Sequence, residues 1–271
     1  MYFQEKRRKV HTDPAFPLDP AFPLSERKGA EDISIVMTDS SSASLKGLPS
    51  PKVSPDLIRQ LLLGLEDVGI RHRFVQTYGD QLEDFVGHMM NAFLAWERLD
   101  ARITKDEPSA HISALVYGAL HTHVVAMKLL LEGLFVPSGN SQRYVLESIA
   151  TALLVSQPSL GYLDRYARNT YSTTKAIRDV ARHADALQLN RKALTTLQQH
   201  SKLYDLCSHP TQFASASLMT LVPANPQTVL GGHFDEGKIF AYEREISSRT
   251  SLASNFPNFI YAVGRNYLGL A

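Results

Sequence analysis

The sequence predicts an all-α protein: a bundle of about seven helices behind an extended or disordered N-terminal arm. Three observations predict it. After Pro55, apolar residues recur at three- and four-residue steps through most of the chain. Clusters of Pro, Ser, Gly and Asn cut that pattern into helix-sized pieces. No stretch sustains the strict alternation and β-branched enrichment of a sheet, and the nearest, Ile33–Met37, is short.

Residues 1–54 form the expected arm. They carry a tandem duplication, Asp13–Leu18 repeated as Asp19–Leu24, and then a run of Ser and Pro. Pro removes backbone donors and small polar residues provide little burial, so no packed core is expected there. The repeat places Phe16 and Phe22 in identical frames, either as a docking motif for a protein partner or as a slipped coding repeat.

Residues 55–271 read as one helical domain. Ser54 and Pro55 suit an N-cap followed by Pro at the first helical position, with Leu57, Ile58, Leu61 and Leu65 behind them. A second helix is expected over 80–103, where Leu82, Phe85, Met89, Phe93 and Trp96 share a face. A third is expected over 110–135, closed by a turn at Pro137-Ser138-Gly139-Asn140. A fourth follows over 142–156, two more over 160–186 and 190–207, and a last over 235–254 with an apolar turn near 259–263. Thr220–Gly232 reads as a loop because of Pro223, Asn225, Pro226 and its glycines.

Composition bounds the function. The 271 residues are 44% apolar and 20% charged, enough for a globular core. The 28 basic and 27 acidic residues nearly cancel, so any attraction to nucleic acid has to come from a local basic patch. The single cysteine, Cys207, excludes an internal disulfide framework and a cysteine-based zinc site, and fits a reducing cytoplasm. The charged opening MYFQEKRRKV does not resemble a secretory signal. The most apolar window, Ile112–Val136, holds His121, His123, Lys128 and Glu132, and reads as a buried core helix, not a membrane span.

Familiar catalytic signatures are missing from the sequence: no P-loop, no G-x-S-x-G elbow, no H-E-x-x-H. No cofactor is expected. Among the ten histidines, His121 and His123 point to different sides of a helix, and His111 lies too far from His121 to share an ion. Two segments carry more. Arg143 and Glu147 stand at i, i+4 and share a helix face, as a surface ion pair or as a pair orienting a group on a facing helix. His209 precedes Pro210 at an expected helix end, as a cap or as a general acid–base group, with Tyr204 and Lys202 one and two turns earlier.

Taken together, R-x-x-x-E-S at Arg143, Glu147 and Ser148 and Y-x-x-x-x-H-P at Tyr204, His209 and Pro210 resemble a group of HEPN-like helical domains. The resemblance covers about 110–219. It implies RNA as the ligand, pairing of two copies, a defence or mobile-element setting, and in active members a metal-independent ribonuclease. There four to six residues separate an Arg from a His; here six residues separate Lys202, in the place of the Arg, from His209. The resemblance therefore gives Arg143, Glu147, Lys202, Tyr204 and His209 as candidate site residues. The alternative is a non-catalytic helical scaffold.

Overall fold

The computed structural model describes residues 68–103, 107–221 and 228–269. The chain divides into a unit of residues 1–54 and a unit of residues 55–271. The expected arm, the Asp13–Leu24 duplication, Ile33–Met37 and the helix expected after Pro55 all lie outside the described residues.

The fold is an all-α bundle. Its described helices are α1 (Val68–Asp100), α2 (Glu107–Leu131), α3 (Phe135–Val155), α4 (Tyr162–Ala167), α5 (Ala176–Arg182), α6 (Arg191–Asp205), α7 (Gln212–Ser217) and α8 (Ile239–Leu268). A small antiparallel hairpin, β1 (Met219–Leu221) with β2 (Thr228–Leu230), pairs Thr220 with Val229. It occupies the segment expected to be a loop, and Pro223, Asn225 and Pro226 fall in its undescribed connection.

Four long helices make the core. Trp96 meets Ser113, Phe93 meets Tyr117 and Phe85 meets His123, so α2 runs antiparallel to α1. Contacts of His123 with Gln142 and of Ala126 with Ser138 bring α3 back antiparallel to α2. Helix α8 lies beside α1 in the same direction, with Phe74 against Tyr242 at one end and Leu99 against Gly264 at the other. Helices α5 and α6 pack on α3, and α4 packs on α2 and α3.

Several boundaries differ from expectation for physical reasons. Helix α1 begins twelve residues before the expected 80. Arg71, His72, Arg73, Gln76 and Thr77 dilute the apolar period there, yet Phe74 and Tyr78 are buried one turn apart. The helix kinks at Tyr78, whose φ of −126° is not helical and whose hydroxyl donates to Ile239 O at 3.1 Å.

Pro137–Asn140 does not form the expected turn. The break falls earlier, at Gly133, where φ is +73° and an added Cβ would sit 2.6 Å from His233 N. Helix α3 then starts at Phe135 and takes Pro137 into its first turn, where the missing N–H costs no helical hydrogen bond.

The single helix expected over 160–186 is two short helices and two 3-10 turns, because Gly161 and Asn169 adopt positive φ. At the C-terminus, α8 continues through Pro257 to Leu268. An internal proline costs about 3 kcal/mol; the burial of Phe256, Ile260 and Val263 on either side offsets it.

One described helix, α2, is long and apolar enough to cross a membrane by length and composition. In this fold it is packed between α1, α3 and α8, and Ile112, Val116, Ala119, Leu120, His123 and Leu130 are buried.

Candidate functional site

The most concentrated polar chemistry lies inside the bundle. Arg249 on α8 is 1% exposed. Its Nη1 donates to Ala126 O at 2.7 Å and to Ser138 Oγ at 2.6 Å, and its Nη2 to Glu245 Oε2 at 3.2 Å. Tyr204 donates to the same Glu245 oxygen at 3.0 Å. Arg249 Nε has no partner among the described residues.

His123 joins from the other side, with Nε2 3.0 Å from Arg249 O and Nδ1 2.9 Å from Gln142 Oε1. Burial pushes its imidazole down to about 4, and the Arg249 cation adds to that, so the ring is neutral near pH 7. A neutral ring has one N–H and cannot donate to both oxygens; donating to the Arg249 carbonyl leaves Nδ1 an acceptor, which the Gln142 amide satisfies once it is turned over to exchange its oxygen for its NH2. Burial, then the Glu245 carboxylate, raises the Tyr204 hydroxyl above its usual range. Burial likewise pushes the Cys207 thiol up to about 11. The network thus holds one cation against one carboxylate, and its hydroxyl, imidazole and thiol are all neutral.

The candidate residues divide among three environments. Tyr204 is in the core network. Arg143 and Glu147 pair at 3.0 Å, and Arg143 also lies 3.3 Å from Asp205 Oδ1 and donates to Ser208 Oγ. The pair is therefore half-buried and ties α3 to the end of α6. Lys202 and His209 are exposed, and their side chains have no hydrogen-bond or ion-pair partner among the described residues. Cys207 packs on Gly139, where an added Cβ would lie 2.5 Å from Sγ.

Sequence reasoning missed Arg249, Glu245, Ser138 and Gln142. The one available signal was Glu245 and Arg249 at i, i+4, beside the apolar Tyr242, Ile246 and Ala253.

Two surface features complete the picture. Between Tyr162 and Lys202, eight basic residues are exposed: Arg165, Arg168, Lys175, Arg178, Arg182, Arg191, Lys192 and Lys202. Only two acids, Asp164 and Asp185, are exposed in the same stretch. Asp179 is buried, accepts from Tyr171 at 3.2 Å and pairs with Arg178 and Arg182. Arg165 lies 5.2 Å from the ring centres of both Tyr162 and Tyr171. The α4–α6 segment thus exposes more basic than acidic residues on a chain of net charge +1, with Arg191 paired to Asp185 at 3.3 Å. The second feature is a cavity between the C-terminal end of α1 and the N-terminal end of α2, lined by Trp96, Asp100 and Tyr117 among others.

No three His, Cys, Asp or Glu side chains converge as a metal site among the described residues. Comparison with known proteins gave no matching family model, no matching curated protein and no matching solved structure.

Proposed function

We propose that the protein binds RNA through the basic α4–α6 lobe, as a non-catalytic relative of HEPN-like domains working in the cytoplasm. The observation that carries this reading is the excess of exposed cations over exposed acids between Tyr162 and Lys202. Phosphate contacts dominate nucleic-acid affinity, and they need a local cluster of this kind. Binding is favoured over cleavage because Arg143 is neutralised by Glu147 and Asp205, while Lys202 and His209 stand exposed without partners among the described residues.

The test is fluorescence anisotropy of a labelled single-stranded RNA with the full chain over a series of salt concentrations. Each phosphate contact contributes about 0.7 to the slope of log affinity against log salt. Replacing Arg168, Lys175, Lys192 and Lys202 with Gln is expected to weaken binding and flatten the slope. Unchanged affinity and slope in that variant would refute the reading.

A second reading, a helical interaction scaffold, is favoured by an apolar stripe. Val86, Met90 and Leu94 on α1 are 58, 59 and 36% exposed, beside Tyr117 and Val124 on α2. Its occupant would be a second copy of the chain: exposed Glu83, one turn before Val86, and Arg98, one turn after Leu94, flank the stripe at opposite ends and would meet each other across a two-fold axis. Sedimentation of the full chain as a monomer at all accessible concentrations would exclude this.

A further inference from the structure

We propose that the cavity between α1 and α2 is a binding site for a small organic cation of the alkylated-ammonium class. The cavity has a volume of about 420 Å³, and its walls include Trp96, Tyr117, Asp100, Ile103, Ser113 and Ala114. That is room for a small ligand. Two aromatic rings stand side by side, centres 5.0 Å apart and planes tilted by 47°, so they form an angled wall, not a closed stack. A carboxylate, Asp100, shares the cavity with them.

The arrangement is braced. Trp96 Nε1 donates to Ser113 Oγ at 3.1 Å and to Ser113 O at 3.3 Å, which fixes the indole edge. Ser113 Oγ in turn donates to Asp100 Oδ1 at 2.6 Å, which fixes the carboxylate. Asp100 has no ion-pair partner among the described residues, so its charge is not neutralised within that set. Ala114 keeps the α2 side of the cavity open, and Ile103 supplies an apolar wall.

Each component selects the same ligand. Aromatic faces attract cations, Trp most strongly, and they favour weakly hydrated alkylated ammonium groups over strongly hydrated ones. The carboxylate supplies the counter-charge. The apolar wall accommodates alkyl groups at the cost of little lost hydration.

Trp96 is the only tryptophan of the chain, so intrinsic fluorescence reports on the cavity itself. The experiment titrates the full chain with choline and, separately, with its uncharged isostere 3,3-dimethyl-1-butanol, at constant ionic strength. Choline is expected to produce a saturable change, with the isostere binding about tenfold more weakly. Asp100→Asn keeps an acceptor for Ser113 and removes the charge; it is expected to weaken choline about tenfold and leave the isostere unchanged. Tyr117→Leu, at a half-exposed position outside the core, is expected to weaken choline by a similar factor. No saturable response to choline, equal affinity for the two probes, or an Asp100→Asn variant that binds choline as the parent does would each overturn the proposal.

Discussion

Replacing Arg249 with Met is expected to destabilise the fold by about 3–5 kcal/mol, the usual cost of removing one partner from a buried ion pair. The magnitude follows from what is left behind. Arg249 supplies three donated hydrogen bonds, to Ala126 O, Ser138 Oγ and Glu245 Oε2. Without it, Glu245, which is 5% exposed, keeps only the Tyr204 hydroxyl against its charge. Methionine fills most of the volume, so the loss is electrostatic more than steric. The double variant Arg249→Met/Glu245→Met removes the stranded charge as well, and its remaining cost is about 1–3 kcal/mol for the Tyr204 hydroxyl left without an acceptor. The double variant is therefore expected to be more stable than the single one. Urea unfolding of parent, both single variants and the double variant, followed by far-ultraviolet circular dichroism, gives the cycle. A single variant within about 1 kcal/mol of the parent, or a double variant less stable than either single one, would refute the reasoning.

Other expectations follow from the same geometry. The His123 imidazole is held down to about 4 in the fold against 6.5 in the unfolded chain, so the unfolded state takes up its proton first. Stability from this group is therefore complete above pH 6.5 and is lost as pH falls toward 4, by about 3 kcal/mol in all. Urea midpoints measured across that range are expected to fall with acidification, and less steeply in His123→Gln. In Gly139→Ala the new methyl would meet Cys207 Sγ at 2.5 Å, which costs about 1–3 kcal/mol; Cys207→Ala, itself mild, is expected to restore part of it in the double variant's thermal midpoint. Arg143→Ala, by loosening the α3–α6 junction, is expected to cost about 1 kcal/mol in urea unfolding while leaving RNA affinity unchanged.

The helical class and most helices were legible because long apolar faces dominate the core: Phe85, Met89 and Phe93 on α1, and Val145, Ile149 and Leu153 on α3, mark their helices by period alone. The local signals that misled were ambiguous ones. Pro-Ser-Gly-Asn reads as a turn, but Pro137 is harmless in a first turn, and Gly139 serves the close approach of Cys207. The last helix, expected over 235–254, runs on through Pro257 because the buried residues around it carry α8 onward. The site was harder to read. An i, i+4 pair of opposite charges looks the same in sequence whether it is half-exposed, as Arg143–Glu147 is, or buried, as Glu245–Arg249 is. Only tertiary packing distinguishes them, and the residues that complete the core network come from α2, α3 and α6. The basic lobe was hidden in a balanced total charge and became visible once burial showed which cations face solvent.

The central claim, RNA binding without cleavage through the α4–α6 lobe, is tested most directly by one incubation read in two ways. Purified full-length protein is mixed with labelled single-stranded RNA in the presence of a chelator; anisotropy reports binding and a denaturing gel reports the length of the RNA. The account predicts a bound and intact RNA, with binding lost in the Arg168/Lys175/Lys192/Lys202→Gln variant and kept in Lys202→Ala and His209→Ala. RNA shortened by the parent but not by the folded His209→Ala variant would contradict it and make the protein a ribonuclease, and an RNA that stays free at low salt would remove nucleic acid as the ligand.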